Sequence, residues 1–304
     1  MKKQLRLWLY LPSVFIITAA GVALRTVATL KNFNFNTGYY ADKTLITAAS
    51  LMMLAAIIIA LTYPIFHRDI RLIASFEGSR TFIPSGIVSV ALLFLAFDFS
   101  RRLVTNNLPK SSVIAGDIPA LKIIVALCVL FSVLSILGFF LTALSTKRED
   151  KSRAWFALST VVFLLLYSIY IYFNANSPIN SPAKLTDMCA YLLCALFFLF
   201  ETRISLGRSI WPMYISFGMT AFAAAAYSAI PSLIVYFACG ELISDSIYEI
   251  ILTLALCVFI AARITGCASL REDSDAPIVS FIKENERIRL DAKADKEADG
   301  NLRD

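Results

Sequence analysis

The sequence predicts an all-α bundle of eight transmembrane helices, an expectation that rests on three observations. Hydrophobic residues make up 58% of the 304 residues and charged residues only 16%, more apolar surface than a soluble fold of this size buries. Mean hydropathy is +0.71, so lipid must solvate most of the chain. The apolar residues also gather into runs of about 20, the length a helix needs to cross a hydrocarbon core roughly 30 Å thick. Because the runs are continuous and not alternating, they do not read as strands of a membrane barrel, and helices are the remaining form that satisfies its own backbone in lipid.

The first run, near Trp8 to Leu30, follows the basic start Met1 to Arg6 and resembles a secretory signal in outline. It is long for a signal core. Its Arg6-x-Trp8 and Ser13-Val14 also recur as Arg153-x-Trp155 and Thr160-Val161 at the start of the fifth run, which places it in the bundle. The other spans are expected near Leu45 to Phe66, Phe82 to Phe99, Ala120 to Ser145, Ala154 to Phe173, Thr186 to Thr202, Trp211 to Cys239 and Ile247 to Ile264.

A net charge of +6 and a pI near 9.0 would suit a nucleic-acid partner, but the basic residues stand singly at the ends of apolar runs. That is the pattern of loops at a membrane surface, so no nucleic acid is expected. Lys2, Lys3, Arg6, Arg68, Arg71, Arg80, Lys147, Arg148, Lys151, Arg153, Arg203, Arg208, Arg263 and Arg271 fall on one side. The other side carries fewer: Arg25, Lys31, Lys43, Arg101, Arg102, Lys110, Lys122 and Lys184. The bias puts both termini in the cytoplasm of a bacterial-type cytoplasmic membrane.

Short sequences recur in the same order in the two halves. Phe33-Asn34-x-Asn36-Thr37 pairs with Phe173-Asn174-x-Asn176-Ser177, and Lys43 with Lys184. Arg80-Thr81-x-x-Pro84 pairs with Arg208-Ser209-x-x-Pro212, Ala126 to Val129 with Ala255 to Val258, and Arg148-Glu149-Asp150 with Arg271-Glu272-Asp273. Each match sits at the same station of a four-helix unit. The expectation is a tandem repeat, residues 1–150 and 151–273, whose even number of spans implies a pseudo-twofold axis along the membrane normal. Residues 274–304 form a charged cytoplasmic tail with an amphipathic stretch around Ile278, Phe281 and Ile288 and a disordered end.

The repeated turns have a plain explanation, since Asn and Ser close turns on their own backbone and neither copy is a glycosylation sequon. In the Arg-[Ser/Thr]-x-x-Pro pair, the hydroxyl suits a helix cap and the proline its first turn. Ionisable residues inside the membrane are the default place to look for function. Arg25 and Asp98 fall toward the outer ends of their spans, with Asp98 in reach of Arg101 and Arg102 at i+3 and i+4. Glu201 and Arg203 are expected to snorkel at an inner end, as is Lys122 at the start of its span.

The outer connections carry opposite charge in the two halves: Arg101, Arg102 and Lys110 in the first, Glu241, Asp245 and Glu249 in the second. A helix beginning at Glu241 would align the three carboxylates in one row. The two patches then form either a latch between the halves or a dipolar vestibule for a zwitterionic or cationic solute. Pro231, in an Ala-rich stretch, is expected to kink the seventh helix and to let a neighbour approach closely.

Catalytic signatures are missing from the sequence. His67 is the single histidine, the six cysteines include no C-x-x-C, and there is no nucleophile elbow, H-E-x-x-H or Walker A sequence. No cofactor, metal or enzymatic activity is therefore expected. Two functions fit: a small-solute permease or channel, or a non-transporting subunit or sensor acting through its tail. The implied partners are the lipid bilayer, a small solute, and a protein docked on the tail.

Overall fold

The computed structural model describes residues 2–35, 37–66, 82–108, 118–144, 151–174, 178, 181–206, 211–243, 246–268, 284 and 287–288. The described residues form eight long helices and one short hairpin. In chain order they are α1 (Lys2–Asn32), β1 (Phe33–Asn34), β2 (Tyr39–Tyr40), α2 (Thr44–Phe66), α3 (Phe82–Val104), α4 (Ile118–Leu144), α5 (Lys151–Phe173), α6 (Pro182–Ser205), α7 (Trp211–Cys239) and α8 (Ile247–Ala268). All eight helices contain a stretch long and apolar enough to cross a membrane. Large apolar side chains face outward along them, among them Leu51 (61% exposed) on α2, Phe97 (68%) on α3 and Phe237 (77%) on α7. Water would not tolerate such a surface, and lipid covers it at no cost, so the chain is an integral multi-pass membrane protein.

The eight helices fall where the sequence puts the spans, but several edges differ: α1 begins at Lys2 ahead of Trp8, α3 runs to Val104 past Phe99, α8 runs to Ala268 past Ile264, and α6 begins at Pro182, earlier than Thr186. Ser181 is extended (φ −61°, ψ 129°), as a residue ahead of proline prefers, and Pro182 occupies the first turn, where its missing N–H has no intrahelical partner to lose. The longer helix brings Lys184 and Asp187 into its first two turns. α2 is started differently: Asp42 Oδ1 accepts the Thr44 hydroxyl and the Thr44 N–H, the latter at 3.0 Å. Those two bonds, the hydroxyl's first, hold the Asp42 carboxyl below its ordinary value.

Helices α3, α4, α5, α6, α7 and α8 pack in that order and close into a ring through α8 against α3, while the α1–α2 hairpin lies outside it against α7. α7 is thus the hub, touching α1, α2, α6 and α8. Its small residues make this possible: Gly218, Ala221, Ala223, Ala224, Ala225, Ala226 and Ala229 are all buried. A Cβ on Gly218 would meet Ile264 Cγ1 at 3.0 Å, and one on Gly138 of α4 would meet Phe156 Cβ of α5 at 2.7 Å. Both approaches need glycine.

A twofold axis relating each helix to the fourth one after it would pack α1 on α8 as closely as α4 on α5, and α2 on α3 as closely as α6 on α7. Among the described residues α1 only brushes α8, and α2 and α3 are not packed neighbours. The helix neighbours do not follow that axis, because the first hairpin docks outside the ring on the small-residue face of α7. The repeated tail motifs at 148–150 and 271–273, the Arg80-Thr81 and Arg208-Ser209 pairs and most of residues 274–304 lie outside the described residues.

The first Asn turn meets the start of α6. Within it, Asn34 Oδ1 accepts the Thr37 N–H at 3.2 Å and Gly38, at φ +73°, closes the hairpin with its N–H on the Asn34 carbonyl at 2.8 Å. This is turn chemistry, and the left-handed φ selects glycine. Ser181 Oγ then donates to the Gly38 carbonyl at 3.0 Å, seating the hairpin on the start of α6.

A candidate solute site in the hairpin half of the bundle

Pro231 organises the site. Without an N–H it leaves the carbonyl of residue 227, one turn back, without its helical donor. Arg25 of α1 supplies one: its Nη1 donates to the Tyr227 carbonyl at 2.7 Å, and the guanidinium lies 4.6 Å from the centre of the Tyr227 ring. Arg25 is 1% exposed. It stands seven residues before the end of α1, about 10 Å along the helix. Tyr227 in turn has its hydroxyl 3.3 Å from Ser50 Oγ on α2, so Arg25 and Tyr227 tie α1, α2 and α7 together. Tyr40 of the hairpin is buried above it, its hydroxyl 3.1 Å from Thr29 Oγ1.

The next residue on α7, Ser228, donates its hydroxyl to Asp187 Oδ1 of α6. Asp187 belongs to a polar stripe, since Lys184, Asp187 and Tyr191 at i, i+3 and i+7 share one face of α6 and are all buried. Lys184 Nζ donates to the Asn174 carbonyl at the end of α5. The Tyr191 hydroxyl donates to the Glu249 carbonyl at 3.3 Å and lies 2.6 Å from Thr253 Oγ1, both on α8. It is within electrostatic reach of the Glu249 and Asp187 carboxylates. Glu249 is itself buried.

Across the ring, Asp98 and Arg102 of α3 form an ion pair at 2.8 Å, and Arg102 Nη1 donates to the Tyr170 hydroxyl of α5 at 3.2 Å. Tyr170 stacks on Tyr167 (5.8 Å between centroids), which meets Tyr191 edge-on at 4.8 Å. Cations from α1, α3 and α6 and carboxylates from α3, α6 and α8 are therefore gathered in one half of the bundle with a tyrosine wall between them. Buried charge of both signs, held by hydroxyls and carbonyls, is an arrangement that recognises polar groups.

The other half of the bundle is aromatic. Phe139, Phe198 and Phe259 pack within 5.1 to 5.6 Å of one another. Below them Glu201 of α6 pairs with Arg263 of α8, both buried, with the guanidinium 5.6 Å from the Phe259 ring. Glu201 was expected to snorkel, but α8 brings Arg263 to it and both stay inside. Arg203, on the opposite face of α6, is exposed as expected.

The expected charge patches fare unevenly. Asp98 and Arg102 pair locally, as their i, i+4 spacing implies. Arg101 is exposed on the far face of α3, and Lys110 and Asp245 lie outside the described residues. The acidic row does not form: α7 ends at Cys239, Gly240 turns the chain at φ +73°, and Glu241 is exposed in a non-helical segment before α8. Glu249 alone of the three carboxylates points into the ring. Sequence reasoning missed Asp187 and the burial of Lys184, whose signal was the Pro182 start and the i, i+3, i+7 spacing. Comparison with protein families, with curated proteins and with solved structures finds no match to this chain. Among the described residues, no group of three metal-ligating side chains comes together.

Proposed function

We propose that this membrane protein is a small-solute permease whose solute passes through the charged half of the six-helix ring. One observation carries the reading: Arg25, Lys184, Asp187 and Glu249 are all buried between helices. A charge at depth in a helix bundle costs about 2.5–3.5 kcal/mol on insertion scales, and such residues usually mark a pathway or a bound ligand. Pro231 supports it, because a helix that lacks one backbone hydrogen bond beside a polar layer can bend there without unfolding. The aromatic layer and the Glu201–Arg263 pair then close the far end of the path.

Uptake by proteoliposomes tests the reading. Vesicles are incubated in a defined mixture of neutral, anionic, cationic and zwitterionic metabolites, and their contents are measured by mass spectrometry. Wild-type protein is expected to enrich at least one charged solute over empty vesicles, and Asp187→Asn, which keeps an acceptor for Ser228 but removes the charge, is expected to abolish that enrichment. Contents equal to those of empty vesicles for every solute would overturn the permease reading.

A further inference from the structure

We propose that the solute is a small zwitterion, held with its carboxylate on Arg25 and its ammonium on Asp187; this rests on the solute site described above and names its ligand class. Arg25 and Asp187 bond to adjacent positions on α7, Tyr227 and Ser228, yet they do not meet at ion-pair distance. Opposite charges buried in a low dielectric attract strongly. In this bundle each is held back by a partner on α7: Arg25 by the carbonyl that Pro231 frees, and Asp187 by the Ser228 hydroxyl. Adjacent residues, Tyr227 and Ser228, thus hold the two charges on either side of one point on α7.

The donor count points the same way. A guanidinium has five N–H donors in a planar fork suited to a carboxylate. Arg25 makes one hydrogen bond among the described residues, to the Tyr227 carbonyl. The rest of a buried fork is left for an anionic group. On the other side, Asp187 Oδ1 takes the Ser228 hydroxyl, and its carboxylate has acceptor sites remaining. Glu249 of α8 is buried on the same side, its backbone carbonyl accepting from the Tyr191 hydroxyl, and a second carboxylate there favours an ammonium over a hydroxyl.

A solute with one charge would answer half of this arrangement and leave the other half buried without a partner. A molecule carrying both charges a few bonds apart answers both.

Thermal unfolding of the full-length protein in nanodiscs tests the proposal, with glycine, β-alanine and 4-aminobutyrate as probes and acetate and methylammonium as single-charge controls. At least one zwitterion is expected to raise the melting temperature by several degrees at millimolar concentration, while neither control does. Asp187→Asn is expected to lose the shift. Arg25→Lys, which keeps the charge but not the fork, is expected to weaken binding about tenfold, the size of one charge-assisted hydrogen bond. A shift from acetate or methylammonium as large as from any zwitterion, no shift from any zwitterion, or a shift unchanged in both variants would each overturn the ligand class. Uptake of another solute alongside that result would leave the permease reading standing; zwitterion binding without uptake of any solute would keep the class and overturn the permease.

Discussion

Arg25→Ala is expected to destabilise the bundle more than any other single change in its hairpin half, and Pro231→Ala is expected to restore part of the loss. Two groups lose a partner when the guanidinium goes. The Tyr227 carbonyl lacks the i+4 donor that Pro231 cannot supply and accepts instead from Arg25. Leaving such an acceptor unpaired costs about 1–3 kcal/mol. The Asp187 carboxylate also loses the cation in electrostatic reach, and an uncompensated buried charge brings the cost toward about 3–5 kcal/mol. Alanine at 231 returns an N–H to the helix, so the double variant satisfies the carbonyl while leaving the carboxylate exposed to its loss. Melting temperatures of the two single variants and the double variant in nanodiscs separate the two contributions. Equal melting temperatures for Arg25→Ala with and without Pro231→Ala would show that the freed carbonyl plays no part.

At the opposite end, Arg263→Met is expected to cost about 3–5 kcal/mol, because it strands Glu201 in the aromatic half of the ring. Glu201→Met alone should be comparably damaging for the same reason with the sign reversed. The pair of methionines should recover most of the stability, since an apolar pair of similar volume avoids the desolvation that the ion pair must offset. The yield of monodisperse protein and its melting temperature check this. A double variant no better than the singles would mean that Glu201 and Arg263 each hold the fold through contacts other than their mutual pair.

What the sequence could and could not reveal follows from the range of the interactions. The spans were legible because each is decided within its own length by apolar content, and the Asp98–Arg102 pair because both residues stand on one helix, four apart. Pro231 inside the seventh helix was legible in the same local way, but not what the freed carbonyl would meet, since Arg25 lies 202 positions earlier in the chain than Tyr227. Glu201 and Arg263 are 62 apart and each looks like an ordinary residue at a span end. Only the packing of α6 on one side of the ring and α8 on the other turns two snorkelling candidates into one buried pair.

The recurrence of motifs between the halves shows how a local signal can suggest a global arrangement the packing does not display. Asn turns, capping hydroxyls and prolines recur wherever a helix enters or leaves a membrane, and here they mark span ends faithfully. Lys43 and Lys184 hold the same station in that register, yet Lys43 is exposed and Lys184 is buried. The difference arises because α6 belongs to the ring and α2 lies outside it. The charged layer is therefore built from α3, α6 and α8 of the ring, with Arg25 of α1 held on the Tyr227 carbonyl of α7.

Access of water-soluble reagent to that layer tests the central claim most directly. Thr253→Cys is introduced into a variant whose native cysteines are replaced by alanine, and a membrane-impermeant cationic methanethiosulfonate is applied to membranes containing it. Residue 253 is expected to be labelled within minutes, and more slowly when a stabilising zwitterion is present. A residue 253 that stays unlabelled in intact and in opened membranes, while an exposed control cysteine at Glu241 reacts, would contradict a solute path through the charged half of the ring.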